Sequence, residues 1–166
     1  ITFVAGEDRL LMRLATNDAQ EFRFWLTRRF VKALRPHLGQ SLTSNPRIRT
    51  QASPVAQREL LKFEHEEAVN SSDFSTPYEA SDKQLPLGEQ PTLLTRFQIR
   101  PQTDGNITLA IGPETGNGID LSLNSGLIHS ILALMDKAIQ VAEWELGETI
   151  ETAELTAAES ASSALN

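Results

Sequence analysis

The sequence predicts an α+β fold. The expected design is an internally duplicated strand–strand–strand–helix unit, forming an antiparallel sheet with its helices on one face. Three observations predict it. Two stretches alternate apolar and polar residues at the period of half-buried strands, and each is broken by turn residues. Each stretch runs at once into a cap residue and an apolar stripe of helical spacing. The two stretches also fall into register, without a gap, at an offset of 97 positions.

The first copy begins with the short run Ile1 to Ala5, a strand, and Gly6-Glu7-Asp8 as its turn. Leu10, Met12 and Leu14 then alternate with Leu11, Arg13 and Ala15. Thr16-Asn17-Asp18-Ala19 turns the chain, and Phe22, Phe24 and Leu26 alternate with Arg23 and Trp25. This is a β-hairpin. Thr27 is placed to cap a helix whose stripe is Phe30, Val31, Leu34 and Leu38. Pro36 falls late in that stripe and predicts a kink or a stop near Arg35.

The second copy opens with a strand from Leu93 to Arg100, in which Leu93, Thr95, Phe97 and Ile99 share one face. Pro101 to Asn106 makes a turn. Ile107, Leu109 and Ile111 match Leu10, Met12 and Leu14, and Ile119, Leu121 and Leu123 match Phe22, Phe24 and Leu26. Asn124 matches Thr27 as the cap, and Leu127, Ile128 and Ile131 match Phe30, Val31 and Leu34. The stripe continues through Met135, Ala138 and Ile139. The pseudo-repeats span 1–38 and 93–146, within one domain over 1–147.

Between them lies a linker with its own helix over 53–69. Ser53 is its cap, Pro54 its first helical residue, and Ala56, Leu60, Leu61 or Phe63, and Ala68 its stripe. The rest of the linker, to Pro91, is polar and punctuated by proline, with Phe74, Tyr78, Leu85 and Leu87 as apolar anchors for a packed strap. From 148 to 166 the chain is an acidic low-complexity tail, with Glu148, Glu151, Glu154 and Glu159 among Ala, Ser and Thr and no basic residue.

Composition narrows the function. A chain of 166 residues with 40% hydrophobic and 22% charged residues is long enough to bury one core. Without cysteine there are no disulfides, thiolate zinc sites, iron–sulfur clusters or cysteine nucleophiles. No apolar run reaches the roughly 20 residues of a membrane span. Ile1–Gly6 is too short for the apolar core of a signal peptide, and the expected compartment is the cytoplasm. The net charge of −7 hides an asymmetry: residues 1–50 hold nine Lys or Arg against four acids, and residues 51–166 hold six against eighteen. The basic section faces either an anionic partner or the acidic remainder of the same chain.

Catalytic motifs are sparse. Ser130 adjoins His129 in sequence, which is no reach for a nucleophile pair, and no Gly-x-Ser-x-Gly occurs. Glu64, Glu66 and Glu67 surround His65 without metal-ligand spacing, and read as a solvated helix face. The glycine-rich run Gly112 to Gly118 lacks the lysine of a phosphate loop and joins two strands, so it reads as a hairpin turn. The expectation is a non-catalytic protein without cofactor or metal. His65 or His129 in a cleft beside a carboxylate would revive an enzyme reading.

Binding is the better prospect. Arg13, Arg23 and Trp25 point away from Met12, Phe22 and Phe24, onto the other sheet face, with Arg28 and Arg29 at its end. Exposed Trp and Arg are typical anchors of protein interfaces, and Trp144, between Glu143 and Glu145, is a second candidate anchor. The first expectation is an accessory or assembly subunit that contacts a protein partner, or further copies of itself, through the sheet face and strap. The alternative is a single-stranded nucleic-acid binder, in which the arginines meet phosphate and Trp25 stacks on bases. Duplicated strand–strand–strand–helix units on a curved sheet are similar in topology to the Whirly and PC4-like single-strand binders. The second unit offers Thr108, Ala110, Asp120 and Ser122 on the corresponding face, with no aromatic and one acid.

Overall fold

The structure, a computed structural model, describes residues 1–71 and 83–146. Phe74, Tyr78 and the acidic tail over 148–166 lie outside the described residues. Among the described residues the fold is α+β, with two sheets and four helices. The chain runs β1 (Thr2–Val4), β2 (Arg9–Ala15), β3 (Glu21–Leu26), α1 (Arg28–Thr43), α2 (Pro46–Arg49), α3 (Pro54–Ser71), β4 (Thr92–Leu93), β5 (Arg96–Pro101), β6 (Ile107–Gly112), β7 (Ile119–Leu123) and α4 (Ser125–Val141). The order strand–strand–strand–helix therefore occurs twice.

Where one antiparallel sheet was expected there are two. The first has the order β1-β2-β3-β4 and the second β5-β6-β7. All pairs are antiparallel except β3 with β4, which is parallel. The cause lies in residues 92–101. Leu94 donates its N–H to the Trp25 carbonyl at 2.9 Å, and the next residue, Thr95, donates to Gly112 at 3.1 Å. One extended segment thus finishes the first sheet and begins the second. The switch shifts the alternation: Leu94 is 1% exposed while Leu93 and Thr95 are exposed, and beyond it Phe97 and Ile99 pack against the core. The single face expected for Leu93, Thr95, Phe97 and Ile99 is split at that point.

Strand period sets the inner faces. Leu10 pairs with Leu26, Met12 with Phe24 and Leu14 with Phe22. In the second sheet Ile107 pairs with Leu123, Leu109 with Leu121 and Ile111 with Ile119. Each long helix then lies against the first strand of the other half. Phe30 of α1 meets Phe97 of β5 edge-on at 5.7 Å, and Trp144, just past α4, meets Phe3 of β1 at 6.0 Å. Arg35 of α1 pairs with Asp136 of α4 at 2.6 Å. One continuous core results, running through both halves.

The caps stand where the spacing predicts. Thr27 accepts from the Phe30 N–H and Asn124 from the Leu127 N–H. Pro36 does not stop α1, which runs to Thr43. Its stripe continues through Leu38 and Leu42, whose burial outweighs the one backbone donor that proline removes. α2, started by Asn45 as cap and Pro46, was not anticipated. In the linker helix Ser53 caps through Ala56, and Leu61 and Ala68 are buried. Phe63, offered as an alternative stripe residue, is 60% exposed. Past α3, the described part of the strap follows the edge of β3. Gln84 bridges to Gln20 and the Glu89 carbonyl accepts from Arg23 before β4 begins.

Candidate binding face and a buried histidine cluster

On the outer face of the first sheet the register aligns Thr2, Leu11, Trp25 and Leu93 in one row across all four strands. Leu11 is buried, Trp25 half-buried and Leu93 exposed. The next row holds Arg13 directly opposite Arg23. Arg23 is engaged on both sides. Its Nε donates to Glu21 at 2.5 Å and its Nη1 to the Glu89 carbonyl at 3.3 Å. Glu21 is 2% exposed, so this arginine neutralises a buried carboxylate. Like charges opposed across a ladder repel, and Glu21 beside the pair offsets that repulsion.

The other predicted residues divide. Arg28 and Arg29 are exposed at the start of α1, and Arg28 reaches the Glu145 carbonyl at 2.9 Å. Trp144 does not join the row. It is 7% exposed, its indole N–H donates to Asp8 at 3.1 Å, and its ring packs on Phe3. It packs on the first sheet of the other half, where its sequence position had suggested a free anchor. The outer face of the second sheet is polar, as its residues predict. Arg100 pairs with Asp120 at 2.6 Å, and Arg96, Gln98, Ala110 and Asp120 help to line a shallow groove of about 300 Å³.

One cluster escaped sequence reasoning. His129 of α4 is 0% exposed, and neither ring nitrogen has a hydrogen-bond partner. Facing it from α3 are Glu64, whose Oε2 stands 4.0 Å from Nε2, and His65, whose ring lies edge-on at 5.3 Å. Arg47 of α2 approaches the same carboxylate at 3.7 Å. The signal was in the sequence. Leu61, Glu64, His65 and Ala68 follow the spacing of one helix face, so the face that docks on α4 carries two polar residues at its centre. Burial, reinforced by the neighbouring His65, pushes His129 down to about 4. A side chain with no exposed surface cannot serve an external substrate as acid or base in this conformation. Among the described residues no three His, Asp or Glu side chains are placed to hold a metal ion, and no helix is long and apolar enough to cross a membrane.

No family model, curated protein or solved structure matches the chain.

Proposed function

We propose that this protein is a non-catalytic binding subunit, and that a protein partner docks on the outer face of its first sheet. The observation that carries the reading is the row Leu11–Trp25–Leu93. Three large apolar residues stand side by side on a face turned away from the core, rimmed by Arg13 and Arg23. An aromatic anchor in an apolar row with an arginine rim is the composition of an interface centre. The lack of a second aromatic on this row, and the engagement of Arg23 and Arg28 by acidic or carbonyl oxygens, favour a protein over bases and phosphates. The cysteine-free composition supports a cytoplasmic setting.

A second reading rests on Trp25, half-buried on the outer face, with Arg28 and Arg29 exposed just past the end of its strand. In that reading the tryptophan stacks on an unpaired base and the arginines meet phosphate. The same register supports reading the two halves as one duplicated unit. Thr27 and Asn124 cap equivalent helices, and β2 with β3 matches β6 with β7 at the offset of 97.

A photo-crosslinking amino acid at Leu93, with Ser122 of the second sheet as control, tests the reading in cells. A protein adduct from position 93 and none from 122 is expected. Adducts to nucleic acid, or no adduct from 93, would overturn it. In parallel, the full chain is expected to bind no single-stranded oligonucleotide at low salt. Binding with a steep salt slope that is lost in Trp25→Ala would establish the second reading instead.

A further inference from the structure

We propose that His129, with His65 and Glu64 facing it, is a pH-sensitive latch that holds α3 on α4 at neutral pH and releases it in acid.

The geometry carries the argument. A neutral imidazole has one donor and one acceptor, and here both stand unmet in a site with no exposed surface. Such a group calls for an explanation beyond packing. Protonation would place a full charge in the same site. The nearest carboxylate, Glu64, is 4.0 Å from Nε2, beyond hydrogen-bond reach, and its other oxygen already faces Arg47 at 3.7 Å. The His65 ring on the opposing helix stands 5.3 Å away and disfavours a charge on His129.

The charged and polar pairs that the other elements packed on α4 bring lie away from His129. From α1, Arg35 pairs with Asp136, about two turns further along the helix. From β1, contact is through Phe3 and Trp144 at the far end, where Asp8 accepts from the indole. On β7, Asp120 is paired with Arg100 on the outer face of the sheet. Nothing among them is placed to welcome a proton on His129.

α3 is the element that can yield. Its buried apolar residues are Leu61 and Ala68, with Glu64 and His65 between them on the same face. A helix with so short an apolar stripe opens before the core does. A lowered histidine value means that the detached state binds the proton more readily than the packed one. Stability is therefore whole above the ordinary value of 6.5 and falls as the pH drops from there towards about 4. With those two values the detached form of α3 is about 30-fold more populated at pH 5 than at pH 7.5.

Amide hydrogen exchange on the full chain, corrected for the intrinsic effect of pH, tests this with α1 as internal control. Protection over Pro54–Ser71 should fall about 30-fold between pH 7.5 and 5 relative to α1, and His129→Leu should abolish the difference. Equal loss in α1 and α3, or an unchanged response in His129→Leu, would overturn the latch. Should that variant not fold, the wild-type His129 resonance decides. Titration well below 5.5 supports the proposal, and titration near 6.5 ends it.

Discussion

Position 25 on the outer face of the first sheet is a tryptophan, and 97 positions later the outer face of the second sheet carries Ser122. Arg23 corresponds in the same way to Asp120, and Leu11 to Thr108. The inner faces barely differ in kind, since Met12 and Phe24 correspond to Leu109 and Leu121. Two sheets of like connectivity thus share an apolar inner face on the common core and differ on the outer one. Packing tolerates apolar exchange when volume and pattern are kept, whereas an outer face is free to become whatever its contacts require. That difference places the candidate interface on the first sheet.

The sharpest way to break the comparison is at the inner faces. Phe24 is fully buried and Leu121 only partly so. Phe24→Ala should cost about 3–5 kcal/mol, and Leu121→Ala roughly half of that, by denaturant unfolding of the full chain. Equal losses would show that the core does not lean on the first sheet. Next come the ion pairs. Glu21→Gln leaves Arg23 without its buried partner and should cost about 1.5–3 kcal/mol. Asp120→Asn removes an exposed partner of Arg100 and should cost less than about 1 kcal/mol. A larger effect at Asp120 would reverse the assignment of which outer face is structurally committed. The smallest contrast is at the caps. Thr27→Ala and Asn124→Ala should each cost about 1 kcal/mol, because each side chain satisfies one backbone donor at the start of a long helix. Unequal losses would mean that one cap also fixes the hairpin before it.

Short-range chemistry explains what the sequence made legible. Alternation placed Leu10 to Leu26 and Ile107 to Leu123 in hairpins, and turn and cap residues marked their ends. Arg13, Arg23 and Trp25 share the outer face because strand period leaves no choice. What stayed hidden depends on partners far along the chain. Whether Leu93 pairs with Trp25 and Thr95 with Gly112 is decided by tertiary packing, so the change of sheet left no local mark. Pro36 was read by its local cost, yet burial of Leu38 and Leu42 carries the helix past it. Trp144 looked free because Phe3 and Asp8, which occupy it, stand at the opposite end of the chain. His129 could have been suspected from its neighbours in the stripe, but only the arrival of α3 seals it from solvent.

The segment from Thr92 to Pro101 leaves the two halves unequal in what they can do without each other. Cut between Pro91 and Thr92, the later fragment would still own every strand of its sheet, while the earlier one would surrender its last and expose a bare edge beside Trp25. Autonomy, in this molecule, belongs to the half with the plainer surface, and the half that presents the tryptophan acquires its finished border only from chain made later.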